Sequence, residues 1–150
     1  MRAVIQRVSS ASVSIEQKKT ASIDQGLLIL LAIESLDSQE DIDWLCNKII
    51  QLRIFNDQYG IMNFSASDID AQLLVVSQFT LFAKTKKGNR PSYIKAAPPS
   101  VSVPLYESFI STLQKLCTQK VVSGEFGADM KIDLTNYGPV TIIIDTKNKE

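Results

Sequence analysis

The sequence of 150 residues contains no histidine and only two cysteines, Cys46 and Cys117, which are not spaced as a Cys-x-x-Cys pair. The absence of histidine excludes Ser-His-Asp and Cys-His catalysis and every histidine-ligated metal site. A zinc site would depend on carboxylates alone, so we expect neither a metal nor another cofactor. If the chain is an enzyme, its chemistry must use hydroxyls, backbone amides, a carboxylate or groups that the substrate brings.

The chain also lacks an excess of charge and a long hydrophobic run. Lys plus Arg and Asp plus Glu both number 16, so the net charge is zero. A neutral balance argues against broad, nonspecific coating of nucleic acid but leaves room for a local contact with one end of an RNA. No run reaches transmembrane length, and the first residues do not resemble a signal peptide. Together with two cysteines on apolar helical stripes, these features predict a cytoplasmic protein with reduced thiols and no membrane partner.

Hydrophobic patterning predicts an alternation of strands and helices. Alternating or continuous apolar segments predict strands over 1–8, 12–16, 20–24, 27–33, 73–82, 120–122, 130–134 and 140–145. Apolar residues at helical spacing predict amphipathic helices over 38–53 and from 102 to about 120, the second with Pro104 in its first turn. We therefore predict one α+β domain over residues 1–150, with a mostly antiparallel or mixed sheet and two main helices.

One predicted strand carries polar side chains where a buried strand should have none. The apolar run from Leu73 to Val76 is followed by Ser77, Gln78 and Thr80. A buried polar group without a partner costs about 1–3 kcal/mol, so these side chains either satisfy one another or line a site. Strand alternation places Ser77 and Phe79 on one face, and Gln78 and Thr80 on the other. The ordinary alternative is a strand end at which hydroxyls cap free backbone groups.

A basic, turn-rich loop follows this strand. It contains Lys84, Lys86, Lys87 and Arg90. Charged loops are usually just solvated, but a basic loop beside a polar pocket is also where a phosphate backbone could be held.

Two other positions have ordinary explanations when taken alone. Gly138-Pro139 interrupts the last strands and is typical of a turn, with a cis bond as the rare alternative. Arg7 shares a strand face with Ala3 and Ile5, and a strand-end arginine commonly reaches solvent along its own stem.

Taken in order, several segments closely resemble the D-aminoacyl-tRNA deacylase family over essentially the whole chain. The segments are Met1-Arg2-Ala3-Val4-Ile5-Gln6-Arg7-Val8, Leu52-Arg53-Ile54-Phe55, Ser77-Gln78-Phe79-Thr80-Leu81, Lys87-Gly88-Asn89-Arg90-Pro91-Ser92, Ala96-Ala97-Pro98-Pro99, Phe126-Gly127-Ala128-Asp129-Met130 and Asn136-Tyr137-Gly138-Pro139-Val140-Thr141. Two positions depart from the family pattern. Tyr137 stands where a small or acidic residue is usual, and Asn89 stands where an arginine is common.

The resemblance implies a barrel-like homodimer that hydrolyses the ester between a D-amino acid and the 3′-terminal ribose of tRNA. It also implies action on glycyl-tRNA, rejection of L-aminoacyl esters and an active site at the subunit interface. Gly138-Pro139 would be a cis pair that enters the pocket of the other subunit, where its carbonyls occupy the space of an L side chain. Arg7 would donate a hydrogen bond to the Gly138 carbonyl.

The chemistry of an aminoacyl ester, together with the same resemblance, suggests roles for the polar stretch. The backbone amides around Phe79 and Thr80 are candidate oxyanion donors, each worth about 3–4 kcal/mol. Ser77 and Gln78 would form the pocket wall, and Phe79 would offer a stacking surface for the terminal adenosine or the amino acid. Thr80 would position the ester or a water, assisted by the vicinal ribose hydroxyl. As a nucleophile it would need a general base, and none is visible without histidine.

Three hypotheses therefore stand. The first is the metal-independent deacylase. The second is a nonenzymatic dimer that binds an RNA end or a nucleotide through Phe79 and the basic loop. The third is a small-ester hydrolase with Thr80 as its nucleophile.

Overall fold

A long first strand pairs with three other strands and so organises the sheet. The computed structural model describes residues 1–150 apart from the side chain of Lys19. Its elements in chain order are β1 (Arg2–Ile15), β2 (Lys18–Ile23), β3 (Gly26–Ala32), α1 (Gln39–Gln51), β4 (Phe55–Asn56), β5 (Met62–Phe64), β6 (Gln72–Ser77), a 3-10 turn (Phe79–Phe82), α2 (Pro99–Leu116), β7 (Val121–Ser123) and β8 (Met130–Asp145).

The sheet is mixed and curls into a nearly closed, barrel-like form, as predicted. β1 pairs antiparallel with β3 through its first half, with β2 through its second half, and with β8 along its other edge. β3 pairs parallel with β6, and β6 pairs parallel with β7. β4 and β5 form a separate antiparallel hairpin. The parallel pairs bring the carboxyl ends of β3 and β6 to the same edge of the sheet. The polar residues Gln78 and Thr80 come directly after β6 at this edge.

Residues of β3 are buried on both faces of the sheet, which explains its continuous apolar run. Leu27 and Ile29 pack in the larger core with the helices, whereas Leu28 packs in a smaller core with Leu74 of β6. At Gly26 the two parallel strands approach so closely that a Cβ atom would lie 1.8 Å from the Gln72 carbonyl oxygen. Only glycine fits at this position.

The two helices cover one face of the sheet through the predicted apolar stripes. In α1 the buried residues at helical spacing are Ile42, Leu45, Cys46, Ile49 and Ile50. Ser38 precedes the helix, and its backbone amide donates to the Asp41 carboxylate at 2.9 Å, as in a capping box. None of the described helices is long and apolar enough to cross a lipid bilayer.

Several predicted boundaries were wrong. β1 continues through residues 8–12 because β8 pairs with it again from Ser10 onward after two register shifts. α2 begins at Pro99, because Pro98 adopts an extended conformation and a proline fits the first helical position. Pro104 therefore lies in the second turn, and the helix ends at Leu116 rather than near residue 120.

The strand predicted over 73–82 ends at Ser77, so the predicted alternation of faces beyond Ser77 was wrong. Ser77 is paired with Leu31 in the parallel ladder, and β3 itself ends one residue later at Ala32. The Gln78 amide still donates to the Leu31 carbonyl at 2.7 Å, after which the chain turns into the 3-10 segment. The strand stops because its partner stops.

A buried ionic cluster ties the two ends of the chain together. The amino group of Met1 contacts the Asp37 carboxylate and donates to the Thr146 hydroxyl at 2.7 Å. Lys147 donates to the Asp41 carboxylate at 2.7 Å. Burial by itself raises the pKa of Asp41, but the hydrogen bonds from Lys147, Thr146 and Ser38 outweigh it, so the pKa lies well below its usual range.

Replacing Asp41 by Asn should lower the free energy of unfolding by about 1–3 kcal/mol at neutral pH, because a buried charge-assisted contact is lost. A lowered pKa stabilises the fold above the unfolded value of about 3.9, and this contribution is lost as the pH falls further. Denaturant unfolding at several pH values should therefore show the two proteins converging in acid. Asp43→Asn, which changes an exposed carboxylate on the same helix, is the matched control. If the free energies of unfolding of the wild type and Asp41→Asn differed by the same amount from neutral to strongly acidic pH, this account would be contradicted.

Candidate functional site

A cavity of about 440 Å³ opens at the carboxyl ends of β3 and β6. Its walls come from these two strand ends, the approach to α2, the loop after β7 and the start of β8. The lining residues are Leu31, Ala32, Ile33, Val76, Ser77, Gln78, Phe79, Ala96, Ala97, Pro99, Ser102, Phe126, Gly127, Ala128, Met130 and Ile132. Most of them are apolar or small, so the pocket has few side chains that could do acid–base chemistry.

The polar residues after β6 meet both conditions inferred from the sequence. Ser77 and Gln78 line the pocket. The Gln78 side-chain amide donates to the Thr80 hydroxyl oxygen at 2.5 Å, so these two side chains also satisfy each other. Thr80 is half-buried and stands just outside the set of lining residues.

Phe79 lies at the mouth of the pocket with 55% of its surface exposed. Its ring makes an edge-to-face contact with Tyr93, with ring centroids 5.0 Å apart. Sequence patterns did not single out Tyr93. Its position just beyond the basic loop is the only signal that could have found it.

The basic loop is closed by its own backbone. Lys84 and Ser92 exchange two hydrogen bonds of 2.8 and 3.1 Å, and Gly88 adopts a left-handed conformation between them. The four basic side chains are exposed, and none lines the pocket: Lys84, Lys86, Lys87 and Arg90. The contact between Tyr93 and Phe79 places the end of this loop beside the pocket mouth.

The Gly138-Pro139 peptide bond is cis, as the resemblance implied. It lies in a bulge of β8, because Gln6 pairs with Thr141 while Val8 pairs with Asn136. Four residues of β8, 137–140, therefore stand opposite Arg7 alone. Both Gly138 and Pro139 are exposed.

Arg7 does not reach solvent, and it does not bind the Gly138 carbonyl, so both expectations were wrong. Its side chain is buried, and its Nε donates to the Tyr137 carbonyl oxygen at 2.7 Å. Its Nη1 donates to the Ile54 carbonyl at 2.5 Å and to the Asn56 side-chain oxygen at 3.1 Å. The hydrogen bond therefore falls one residue earlier than predicted, on the peptide that precedes the glycine.

Within one chain the two halves of the predicted site are separate. The pocket contains Ser77, Gln78 and Phe79, whereas Gly138, Pro139 and Arg7 are not among its lining residues.

Neither cysteine is suited to nucleophilic chemistry. Burial raises the pKa of the Cys117 thiol to about 11 and moves that of Cys46 further above its ordinary range. Both thiols are free and remain protonated near neutral pH.

Two solved structures share this fold over nearly the whole chain. The "c-Myc DNA Unwinding Element Binding Protein" superimposes with a TM-score of 0.92 at 37% identity, covering 97% of this chain and 98% of that one. A probable eukaryotic D-amino acid tRNA deacylase superimposes with a TM-score of 0.81 over 95% of this chain and 97% of the other, and its 17% identity supports the fold alone.

Residues 4–145 match the family model described as D-Tyr-tRNA(Tyr) deacylase. Two relatives named D-aminoacyl-tRNA deacylase, from Flavobacterium johnsoniae and Bacteroides fragilis, are 59% and 60% identical over 150 residues and the full length of both chains. The chain belongs to the D-Tyr-tRNA(Tyr) deacylase family.

Proposed function

We propose that this protein is a hydrolase that cleaves the ester bond of D-aminoacyl-tRNA, acting as a homodimer with its active site at the subunit interface. The observation that carries the proposal is the separation of the pocket from the exposed Gly138-Pro139 bulge within one chain. In the proposed dimer, the bulge of one subunit enters the pocket of its partner. Family membership supports the reaction type.

Selectivity in this proposal is steric. The pocket is lined mainly by small and apolar residues, so it offers little that would attract one side chain over another. Backbone carbonyls of Gly138 and Pro139 would occupy the space that an L side chain needs and would leave room for a D side chain. Glycine has no side chain to reject, so glycyl-tRNA would also be a substrate. The result would be chiral proofreading of aminoacyl-tRNA, in the cytoplasm where translation takes place.

Catalysis would depend mainly on stabilising the oxyanion. An aminoacyl ester is already activated, and backbone donors aimed at the developing charge contribute about 3–4 kcal/mol each. Phe79 and Thr80 begin the 3-10 turn, and the first hydrogen bond closing that turn comes from the Leu81 amide to the Gln78 carbonyl. The two preceding amides are thus the proposed donors, and Phe79 would also offer its exposed ring to the terminal adenosine.

The partner of the Thr80 hydroxyl argues for a positioning role. Among the described residues, its side-chain hydrogen bond is with the Gln78 amide nitrogen, which is a donor and cannot take a proton. A nucleophilic Thr80 would need a general base in this place. We therefore assign Thr80 to orienting the ester or a water, with the vicinal ribose hydroxyl of the substrate assisting.

The basic loop is proposed to hold the acceptor end of the tRNA. Lys84, Lys86, Lys87 and Arg90 are exposed on the loop whose end contacts Phe79 through Tyr93, and they could neutralise phosphates without reading a sequence.

A second candidate function is nonenzymatic binding of a nucleic acid end. The name of the structural relative with 37% identity describes a protein that binds a DNA element. Phe79 and the basic loop would serve such binding equally well, but it would produce no turnover.

The direct test of the proposed function is deacylation of D-tyrosyl-tRNA and L-tyrosyl-tRNA in parallel with a chelator present. We expect rapid release of D-tyrosine and far slower enzymatic release of L-tyrosine. Equal release of D-tyrosine and L-tyrosine would indicate a general esterase and would contradict the Gly138-Pro139 gate. Intact esters with tRNA still bound would favour the binding function.

Replacing Thr80 by Ala should slow turnover of D-tyrosyl-tRNA about tenfold, because one positioning hydrogen bond is lost while the amide donors remain. Thr80→Ser keeps the hydroxyl and should stay close to the wild-type rate. The rate of each variant is measured by single-turnover deacylation at saturating enzyme. A folded, tRNA-binding Thr80→Ala protein with no turnover at all would instead favour a nucleophilic threonine.

A further inference from the structure

We propose that Asn56 and Tyr137 are positioning residues that fix the buried Arg7 guanidinium and, through it, the peptide preceding Gly138. This inference rests on the proposed function, because it concerns how the chiral gate is held. It assigns a role to the β4–β5 hairpin, which lies outside the pocket.

The surroundings of Arg7 make each of its acceptors important. The residue is only 4% exposed, and no carboxylate forms an ion pair with it among the described residues. A buried charge without a counter-ion needs its hydrogen bonds satisfied. Its acceptors are two backbone carbonyls, of Ile54 and Tyr137, and the side-chain oxygen of Asn56. Of these three, only the Asn56 oxygen belongs to a side chain.

Tyr137 holds Arg7 in two ways. Its carbonyl accepts from Nε at 2.7 Å, and its ring lies over the guanidinium with 4.6 Å from the Arg7 Cζ atom to the ring centroid. A cation placed over an aromatic face is attracted by the ring quadrupole. Because ring and carbonyl belong to one residue, the two contacts together fix the orientation of the peptide plane that leads into Gly138.

The space beside the α-carbon of Gly138 is largely open. Apart from its chain neighbours, the only heavy atom within 4 Å of a Cβ built on Gly138 is the Val140 nitrogen, at 3.4 Å. The bulge is therefore held from its base, where Tyr137 meets Arg7, and its tip is free to enter another molecule.

The hairpin that presents the Asn56 side chain is itself anchored. Phe55 is only 1% exposed in the larger core. The Asp57 carboxylate accepts from the amides of Tyr59 and Ile61 at 2.9 and 3.1 Å, which closes the turn. A fixed acceptor at position 56 thus restricts Arg7, and Arg7 restricts the gate.

The test compares Asn56→Ala and Tyr137→Leu with the conservative variants Asn56→Asp and Tyr137→Phe. Tyr59→Leu, which removes a ring that is 78% exposed on the same hairpin, is the matched control. The first readout is the ratio of kcat/KM for D-tyrosyl-tRNA to that for L-tyrosyl-tRNA, and the second is solvent exchange of the Arg7 Nε–H proton by NMR. The melting temperature is measured in parallel.

We expect the D-to-L ratio to fall about tenfold in Asn56→Ala and about threefold in Tyr137→Leu, chiefly through faster attack on the L-isomer. Arg7 Nε–H exchange should accelerate in both. Asn56→Asp, Tyr137→Phe and Tyr59→Leu should keep the wild-type ratio and exchange rate.

An unchanged D-to-L ratio in both Asn56→Ala and Tyr137→Leu would overturn the proposal, even if the melting temperature fell. A purely structural role would change stability without changing the selectivity between the two isomers. If the wild-type protein fails to deacylate D-tyrosyl-tRNA, the proposed function fails, and the exchange rates alone decide whether these residues position Arg7. Unchanged exchange in the Asn56→Ala,Tyr137→Leu double variant would then overturn the positioning role.

Discussion

The buried guanidinium of Arg7 joins three parts of the molecule that the chain order keeps far apart. Arg7 lies in β1 and donates hydrogen bonds to the Ile54 carbonyl just before β4, to the Asn56 side chain in β4, and to the Tyr137 carbonyl in the β8 bulge. Burial of an unpaired cation is costly, so these acceptors are needed for stability as well as for geometry. Arg7 thereby contacts the peptide that leads into the exposed Gly138-Pro139 pair.

The pocket that the gate is proposed to enter has few side chains that could act as acids or bases. This fits the proposed reaction, which needs few such groups. Ser77, Gln78 and Phe79 line it among small and apolar walls, and Phe79 begins the 3-10 turn. An activated ester requires an oxyanion site and correct placement more than a strong base. In the proposed function, selection by backbone carbonyls would add specificity without depending on which side chain the amino acid carries.

Sequence patterns predicted the parts of this structure that depend on local burial. Prediction located the apolar runs of β3 and β6 and the apolar stripe of α1 correctly. A strand buried on both faces has a continuous apolar run, and a helix buried on one face has apolar residues at helical spacing. The end of β6 at Ser77 was missed, since it is set by where the partner strand β3 ends. The acceptor of Arg7 was misplaced by one residue, and Asn56 was not found. The first depends on a four-residue bulge in the register of β8, which only the paired strands define, and the second depends on a contact between β4 and β1 that leaves no local pattern in the sequence.

The central claim is that pocket and gate come from different subunits, and subunit mixing tests it most directly. A gate variant, Gly138→Val, is mixed with a pocket variant, Gln78→Ala,Thr80→Ala, and the subunits are allowed to exchange. Each mixed dimer would contain one site with both defects and one intact site, so about a quarter of all sites should regain D-selective turnover after random exchange. Selective turnover well above the mean of the two parent proteins is the predicted result. Turnover equal to that mean, with mixed dimers demonstrably formed, would contradict a site shared between subunits.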